Sequence, residues 1–428
     1  MMPPATQLVT IEKPIYGGAF LARVEGKAVF VPLTLPGEEA RVRIVDDKRG
    51  YATAEAEEIV SPSPQRIAPR CQYFGTCGGC DYQHAGYEAQ LAFKQAILRE
   101  TFDRAGVAIP GEISVLAGDP WTYRNRIRLA FDARGNPGFR GRKSHAIIPI
   151  AECPIAAPSL IAAALAFAEI RRNIAPALRP SELSLFCNAA ETEMLAGIMI
   201  THRAKIDLAR IGGALQERVS AVTGMELVLE AQDRRRQPTT IARWGASSLI
   251  YQAAGFPYRV DHGSFFQVNR WLVDALVERV TAGRAGALAW DLFAGVGLFA
   301  RRLAGSFDHV IAVESAPTAI AALKANLRGT RADAVAATTL DFLRRNSKGP
   351  RPDLIVVDPP RTGLGAETTK HLADIAAPSI VYVSCDPATL ARDLGALVSA
   401  GFALRAITLA DLFPHTFHLE TIVELHRA

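Results

Sequence analysis

At 428 residues the chain is too long for one ordinary domain, since roughly 150 residues per domain predicts two or three. Hydrophobic residues make up 49% and charged residues 21%, which describes a soluble globular protein with an ample core. The net charge of +5 is mild, but basic residues cluster at 124–128, 140–143 and 234–236. Such clusters suit a polyanion better than an acidic small molecule, although many solvated surfaces look similar.

The first residues lack a basic segment followed by an apolar one, so we predict no secretory signal. No uninterrupted apolar run reaches the roughly 18 residues that span a membrane, and the stretch 161–170 is too short and contains Glu169. We therefore expect a cytoplasmic protein without membrane contact. In that reducing compartment the six cysteines are more readily ligands or catalysts than disulfides.

Residues 7–60 contain several short apolar segments separated by glycine-rich turn signals. Short strands at such close intervals predict a small barrel of the oligonucleotide-binding kind, and we assign it to a domain at 1–61. A generic small β domain is the alternative.

A second domain is predicted at 62–262, after a linker that contains Pro62 and Pro64. It begins with a cysteine-rich segment and a helix at about 87–105. Alternation of apolar and polar residues then predicts strands of a mostly antiparallel sheet, so this domain is α+β. Those strands are at 126–131, 183–187, 195–200 and 227–230.

The third domain, 263–428, has short and almost uninterrupted apolar runs alternating with helical segments. Strands of this kind are buried on both faces, as in the parallel doubly wound sheet of α/β proteins. The runs are 287–293, 310–313, 354–357 and 380–383. Ligands of this architecture bind at the carboxyl ends of the strands, so the polar residues there determine the chemistry.

The first of these strands ends in Asp291-Leu-Phe-Ala-Gly-Val-Gly297, and the second ends in Glu314. The glycines allow a tight turn and a close approach to a ligand, and Glu314 can accept hydrogen bonds from a ribose. Because 295–300 also fits the dinucleotide fingerprint, a dehydrogenase is an alternative. A simple strand-to-helix turn that binds no nucleotide is a second alternative.

Two further strand ends carry a carboxylate and a thiol. Asp358 precedes two prolines, which make it a rigid hydrogen-bond acceptor. Cys385 lies between Ser384 and Asp386 at the end of its strand, whereas an inert buried cysteine normally lies inside one. We therefore predict that Cys385 is a nucleophile. A hydride-transferring enzyme has no evident use for this thiol.

The cysteines of the second domain are spaced C-x5-C-x2-C, with a distant Cys-Pro pair as a fourth thiolate. Four thiolates could hold a structural zinc ion or an iron-sulfur cluster, and the spacing alone does not separate the two. The four residues are Cys71, Cys77, Cys80 and Cys153. Cys187 is predicted to be a buried strand residue.

Several motifs together resemble the RNA uracil-C5 methyltransferases, the family that makes 5-methyluridine in 23S ribosomal RNA and tRNA. In chain order they are Ser264-Phe-Phe-Gln-Val-Asn269, Asp291-Leu-Phe-Ala-Gly-Val-Gly297, Asp358-Pro-Pro-Arg361, Ser384-Cys-Asp-Pro-Ala-Thr-Leu-Ala-Arg-Asp393 and Phe413-Pro-His-Thr-Phe-His-Leu-Glu420. The resemblance implies a Rossmann-like methyltransferase domain at the carboxyl end. It also implies that the amino-terminal barrel is a TRAM domain, an RNA-binding module.

The resemblance further implies S-adenosylmethionine as methyl donor and an addition of Cys385 to carbon 6 of uracil, which makes carbon 5 nucleophilic. Glu420 matches the general base that removes the carbon 5 proton, with a surface carboxylate as the alternative. Phe265 matches a ring that stacks on the extruded uracil, which Asp358 also contacts. Phe266 is expected to be a core residue. The positions that match donor contacts are Gln267, Phe293, Gly295, Gly297, Glu314, Asp341 and Asp358. Asp341 is expected in a loop after the third strand of this domain.

The chain departs from the family pattern at Leu298, where members commonly have asparagine. We expect an effect on donor affinity and none on the type of reaction. The resemblance also favours a [4Fe-4S] cluster on Cys71, Cys77, Cys80 and Cys153 over zinc.

The expected partner is RNA, with 23S ribosomal RNA favoured by the barrel and position 54 of tRNA as the alternative. No obligate protein partner is predicted. Two other functional classes are alternatives. A nicotinamide-dependent oxidoreductase would leave Cys385 and Glu420 without a role. A non-catalytic iron-sulfur RNA-binding protein would leave the residues at the strand ends unexplained.

Overall fold

The computed structural model describes residues 6–204, 206–231, 233 and 237–427. The predicted basic cluster at 234–236 lies outside the described residues. Within these ranges no helix combines the length and the apolar character needed to cross a membrane.

The amino-terminal strands close into a barrel in the order β1-β2-β3-β5-β4. Alternate residues such as Val9 and Ile11 point inward, which is the period expected of a strand with one buried face. The predicted barrel is confirmed. Its strands are β1 (Gln7–Pro14), β2 (Ala19–Val24), β3 (Lys27–Pro32), β4 (Glu39–Asp47) and β5 (Tyr51–Ser61).

The middle of the chain contributes three helices and ten strands among the described residues. They are α1 (Tyr87–Arg104), β6 (Ser114–Leu116), β7 (Arg126–Phe131), β8 (Pro137–Arg140), β9 (Ile147–Pro149), α2 (Pro158–Ile174), β10 (Pro180–Cys187), β11 (Met194–Ile200), α3 (Leu208–Arg218), β12 (Val222–Leu229), β13 (Thr239–Gly245), β14 (Ser248–Ala253) and β15 (Phe256–Asp261). The central sheet has the order β13-β12-β11-β10-β7-β8-β9, and only the β11–β12 pair in it is parallel. The predicted mostly antiparallel sheet is confirmed, and α2 and α3 cover one of its faces.

The carboxyl-terminal part alternates strands and helices, as the buried apolar runs predict. It contains α4 (Val273–Thr281), β16 (Gly286–Leu292), α5 (Leu298–Leu303), β17 (Phe307–Glu314), α6 (Pro317–Asn326), β18 (Ala332–Ala336), α7 (Thr339–Asn346), β19 (Leu354–Val357), α8 (Gly365–Ile375), β20 (Ser379–Ser384), α9 (Pro387–Ser399), β21 (Phe402–Ala410) and β22 (Glu420–Arg427). Its sheet has the order β18-β17-β16-β19-β20-β22-β21-β6. The first five strands are parallel, so the predicted doubly wound α/β sheet is confirmed.

Two segments of the middle region join the carboxyl-terminal one. β6 pairs with β21 at the sheet edge, and α1 shares a hydrophobic core with α9. The hairpin β14–β15 packs into the core that also contains α4 and α5. The division into domains at 1–61, 62–262 and 263–428 therefore stays a prediction. In the structure, parts of the middle segment share a sheet and hydrophobic cores with the carboxyl-terminal segment.

Candidate active site

The predicted nucleophile and base lie at the carboxyl edge of the parallel strands. Cys385 directly follows β20, whereas Glu420 is the first residue of β22, which runs antiparallel beside it. Ser384 pairs with Thr421, so one further step of this register places Cys385 opposite Glu420. The cysteine is half-buried and the glutamate is 5% exposed. Strand register thus brings together two residues that are distant in sequence.

Asp358, which follows β19, lies at the same edge. Burial raises its pKa to about 7. Burial and the charge of Asp358 also raise the pKa of Glu420 well above its ordinary value, while Arg361 opposes this shift. The site can therefore hold a proton on a carboxyl group near neutral pH, which general acid–base catalysis requires.

The Cys385 thiol has a pKa raised to about 12, by burial and by the charges of Glu420 and Asp358, with Arg361 acting in the opposite direction. The thiolate is the nucleophilic form, so the free enzyme keeps this residue largely unreactive at pH 7. A cationic methyl donor and a proton on a neighbouring carboxyl group would both lower that pKa.

The turn after β16 is held by two carboxylates. Asp291 is fully buried, and its Oδ2 accepts a hydrogen bond from the backbone N–H of Ala300 at 2.8 Å. Glu314 accepts the N–H of Gly295 at 2.8 Å through Oε2, and the N–H groups of Ser315 and Ala316 through Oε1. The predicted positions Gly295 and Glu314 are therefore in direct contact.

The residues of this turn fit the donor that the resemblance implies. The Oδ1 atom of Asp291 is buried without a hydrogen-bond partner among the described residues, and burial, Asp358 and Glu314 raise the pKa of this carboxyl to about 7. S-adenosylmethionine carries a sulfonium and an ammonium group. The carboxylates of Asp291, Glu314 and Asp358 lie close to one another and match that positive charge. The donor would stabilise their ionised forms.

Backbone geometry at the turn explains two of the predicted positions. Phe293 has a φ of +66°, a conformation that is costly for a side chain with a β carbon and is commonly found at functional sites. Gly297 has a φ of +90°, and a Cβ there would lie 2.8 Å from Leu323. Leu298, the departure from the family pattern, is buried at the start of α5, where its carbonyl accepts the Tyr258 hydroxyl at 3.1 Å. It thus has a packing role at this position.

The sequence context of Asp341 had indicated a loop, which was wrong. Asp341 lies in the first turn of α7. Its backbone N–H bonds to the Thr338 hydroxyl at 3.1 Å, and that hydroxyl donates to the Asp341 carboxylate at 2.8 Å. The helix cap therefore orients this carboxylate at the same sheet edge.

The neighbouring aromatic rings at 265 and 266 have different environments. Phe265 is 60% exposed, as a base-stacking ring requires, whereas Phe266 is 2% exposed and packs on Tyr251 with ring centroids 4.3 Å apart. The expected core role of Phe266 is confirmed. Gln267 is buried, and its carbonyl accepts the Asn125 side chain at 2.8 Å.

Two residues, Tyr16 and Lys94, make contacts at the site that had no signal in the sequence. The hydroxyl of Tyr16, in the barrel, donates to Asp386 at 3.2 Å, although the two residues are 370 positions apart. Lys94 of α1 is fully buried and donates to Asp411 at 2.5 Å and to the carbonyl of Phe413 at 2.9 Å. These contacts hold the loops on either side of Cys385 and Glu420.

The four predicted cysteine ligands line one cavity, together with the rings of Tyr73, Phe74 and Phe139. Burial raises the pKa of the Cys80 thiol to about 12 and that of Cys153 to about 11. Among the described residues, no three His, Cys, Asp or Glu side chains are arranged to hold a metal ion. Cys187 is fully buried at the end of β10, as predicted.

Comparison with protein families gives two matches. The TRAM domain family matches residues 2–56, which confirms the predicted identity of the barrel. The tRNA (Uracil-5-)-methyltransferase family matches residues 351–428, the part that contains Asp358, Cys385 and Glu420.

Relatives match over nearly the whole chain. An uncharacterised RNA methyltransferase of Streptomyces avermitilis is 33% identical, with 98% of each chain covered. The 23S rRNA (uracil(1939)-C(5))-methyltransferase RlmD of Chromohalobacter salexigens is 34% identical, with 98% of this chain and 89% of the relative covered. Among solved structures, the tRNA (uracil-54, C5)-methyltransferase of Pyrococcus abyssi in complex with S-adenosyl-L-homocysteine is 25% identical and superposes with a TM-score of 0.77, covering 98% of this chain and 100% of that one. The chain therefore belongs to the RNA uracil-C5 methyltransferase family.

Proposed function

We propose that the protein transfers a methyl group from S-adenosylmethionine to carbon 5 of a uridine in RNA, with Cys385 as nucleophile and Glu420 as general base. The observation that carries this proposal is the register that places Cys385 beside Glu420 at the carboxyl edge. The donor supplies an electrophilic methyl group on a sulfonium, which requires an electron-rich partner.

The residues at the edge divide the reaction into steps. The Cys385 thiolate adds to carbon 6 of uracil, and the electron pair of the 5,6 double bond becomes available at carbon 5. Carbon 5 takes the methyl group as the sulfur–methyl bond of the donor breaks and the neutral thioether leaves. Carbon 5 then carries both the methyl group and a proton. Glu420 removes that proton, the double bond forms again and the Cys385 thiolate leaves.

Electrostatics supports the order of these steps. Two carboxyl groups, those of Glu420 and Asp358, oppose ionisation of Cys385 in the free enzyme, because each adds negative charge beside the buried thiol. We infer that the positive donor must bind before the thiolate forms in quantity. A thiol that stays protonated until both substrates are present is protected from side reactions.

The exposure of the Phe265 ring supports a role for this residue in holding the uracil outside the RNA stack. Its ring is exposed, while the adjacent Ser264 donates to the carbonyl of Thr318 at 2.9 Å and thereby fixes the loop. A uracil removed from its helix would lose stacking energy, and an aromatic ring can replace part of it.

We favour 23S ribosomal RNA as the substrate and a cytoplasmic site for the reaction. The relative named for 23S rRNA is 34% identical, and the solved enzyme named for tRNA is 25% identical. The barrel does not separate the two substrates, since the match to the tRNA enzyme also covers 98% of this chain.

The function is tested by incubating the full-length protein with methyl-labelled donor and two unmodified transcripts, 23S rRNA and tRNA. We expect label in 5-methyluridine of the 23S transcript. Label only in tRNA would change the substrate and keep the chemistry, whereas label in a base other than 5-methyluridine, or none in either RNA, would overturn the proposal.

We also propose that Cys71, Cys77, Cys80 and Cys153 hold a [4Fe-4S] cluster. The support is that all four line one cavity with aromatic walls. Four thiolates could also hold one zinc ion, and the resemblance to the iron-sulfur members of the family is what favours the cluster.

Purification without oxygen should give a brown protein with about four irons per chain. Elemental analysis and absorption spectroscopy measure this without any activity assay. Stoichiometric zinc with negligible iron would contradict the cluster and leave the methyltransferase chemistry untouched, because no step of it uses the metal.

A further inference from the structure

A cavity of about 430 Å³ lies on the central sheet, apart from the edge that carries Cys385. Its floor contains alternate residues of β7 and β10, which face away from the core under α2 and α3. Its opposite wall comes from residues 261–263 and from Thr318 of α6. None of the predicted donor-binding residues or cysteine ligands is among the described residues that line it. The floor residues are Arg126, Arg128, Ser184 and Phe186.

Two buried hydrogen-bond acceptors line this cavity. Glu226 is 8% exposed, and the His262 Nδ1 lies 3.8 Å from its carboxylate. The His262 side chain is 6% exposed, and its Nε2 has no hydrogen-bond partner among the described residues. With its proton on Nδ1, the nitrogen that faces this carboxylate, His262 presents Nε2 as an acceptor that needs a donor. A buried polar atom without a partner is costly, and a ligand can supply the missing hydrogen bond.

Cationic groups lie at the rim of the same cavity. Arg128 and Arg243 have side chains 70% and 61% exposed, and each is 3.7 Å from a carboxylate. Such long and exposed ion pairs are weak, so both guanidinium groups can turn to a phosphate. Arg126 differs: it lies over the Phe186 ring at 4.3 Å and donates to the carbonyl of Ser264 at 2.7 Å.

We propose that this cavity binds one unpaired nucleotide of the substrate RNA, next to the target uridine, whose base carries an exocyclic amino group. Adenine, cytosine and guanine have such a group, and uracil has none. The amino group would donate to Glu226 and to Nε2 of His262, while Arg128 and Arg243 hold the flanking phosphate. The site is adjacent to the target because Arg126 binds Ser264, the residue before Phe265. This inference rests on the proposed function, since it takes RNA as the substrate.

The test uses a pool of RNA hairpins with one 5-fluorouridine in the loop and two random nucleotides on each side. The full-length protein with S-adenosylmethionine is presented with this pool. Non-covalent complexes are collected on filters, covalent adducts are collected on denaturing gels, and both are sequenced. We expect bases with an amino group to be roughly tenfold enriched over uracil at one flanking position, as one base-edge contact provides.

Glu226→Ala and His262→Ala should abolish the preference at that position and leave the other flanking positions unchanged. The matched control is Glu169→Ala, on the exposed face of α2, which should keep the preference. Since buried substitutions can impair folding, Arg128→Gln is a second variant. It should weaken binding of all hairpins alike and lower the slope of affinity against salt by about one unit, whereas the surface control Arg331→Gln should not.

Equal use of the four bases at every flanking position, or a preference that survives in Glu226→Ala and His262→Ala, would overturn the nucleotide site. A filter preference that depends on Glu226 supports the site even when no adduct forms. In that case the role of Cys385 in the proposed function fails, and the nucleotide site stands.

Discussion

At the carboxyl edge of the C-terminal sheet, the register of β20 and β22 brings Cys385 and Glu420 together. The four-cysteine cavity is built differently, since Cys71, Cys77, Cys80 and Cys153 lie on irregular segments outside the named strands and helices. The sheet edge keeps its geometry without any ligand, because hydrogen bonds between strands maintain it. The cysteine segments have little regular structure of their own, and a metal ligand would be part of what holds them.

The comparison separates chemistry from folding. Substitutions at the sheet edge should change the reaction while the chain stays folded. Substitutions at the cysteines should change local structure and RNA binding while the donor site stays intact.

The largest expected effect is that of Cys385→Ala. Turnover should fall on the order of 10⁴-fold or more, because no other group can add to carbon 6. Donor affinity and thermal unfolding should be nearly unchanged, as measured by calorimetry. The matched control is Cys187→Ala, which is fully buried and should lose stability but keep activity. Substantial methylation by Cys385→Ala would show that the thiol is not the nucleophile.

Glu420→Gln should reduce turnover by roughly 10²- to 10⁴-fold, the usual contribution of a general base. The thiol addition and the methyl transfer should still occur, so a methylated protein–RNA species should persist on a denaturing gel. Glu424→Gln on the same strand is the control: it loses ion pairs to Arg279 and Arg284 and should not stall the reaction. If Glu420→Gln binds neither RNA nor donor, Glu420 is structural.

Cys153→Ala tests the other side of the comparison. Iron content should fall and RNA affinity should weaken, while donor binding stays at the wild-type level because the cavity is separate from the Gly295 turn. Iron analysis, filter binding and calorimetry measure the three quantities. A variant that loses donor binding together with iron would show that the two regions are one cooperative unit.

The smallest effect is a shift in the titration of the Cys385 thiol. Its pKa is raised to about 12, so alkylation by iodoacetamide should rise by about tenfold per pH unit from pH 7 to 11. In Asp358→Asn the rate should be higher at each pH and should level off at lower pH, because a negative charge that opposes thiolate formation is gone. Peptide mass spectrometry follows Cys385 separately from the other cysteines. A rate that levels off below pH 9 in the wild type would contradict the raised pKa.

Much of the sheet edge could be predicted from sequence because local patterns carry it. The buried apolar runs located β16, β17, β19 and β20 to within a few residues, and Asp358 and Cys385 each follow directly after one of these strands. The helix at 87–105 was likewise predicted almost to the residue, as α1 shows.

The errors and omissions have two physical reasons. Asp341 was expected in a loop because the capping bond from Thr338, which starts α7, was not recognised. The pairing of β6 with β21 joins residues nearly 300 positions apart, and Lys94 meets Asp411 across 317 positions. Such contacts depend on how segments pack in space, and no local pattern of residues reports them.

The contact between Tyr16 and Asp386 has a consequence for how the protein can be engineered. A barrel that only gripped RNA could be exchanged for another to redirect the enzyme to a new transcript. Here the same small domain also steadies the residue next to Cys385, through a hydroxyl group and through the Tyr16 ring against Phe417. A chimera with a foreign barrel would therefore have to restore that tyrosine before its substrate choice could be judged.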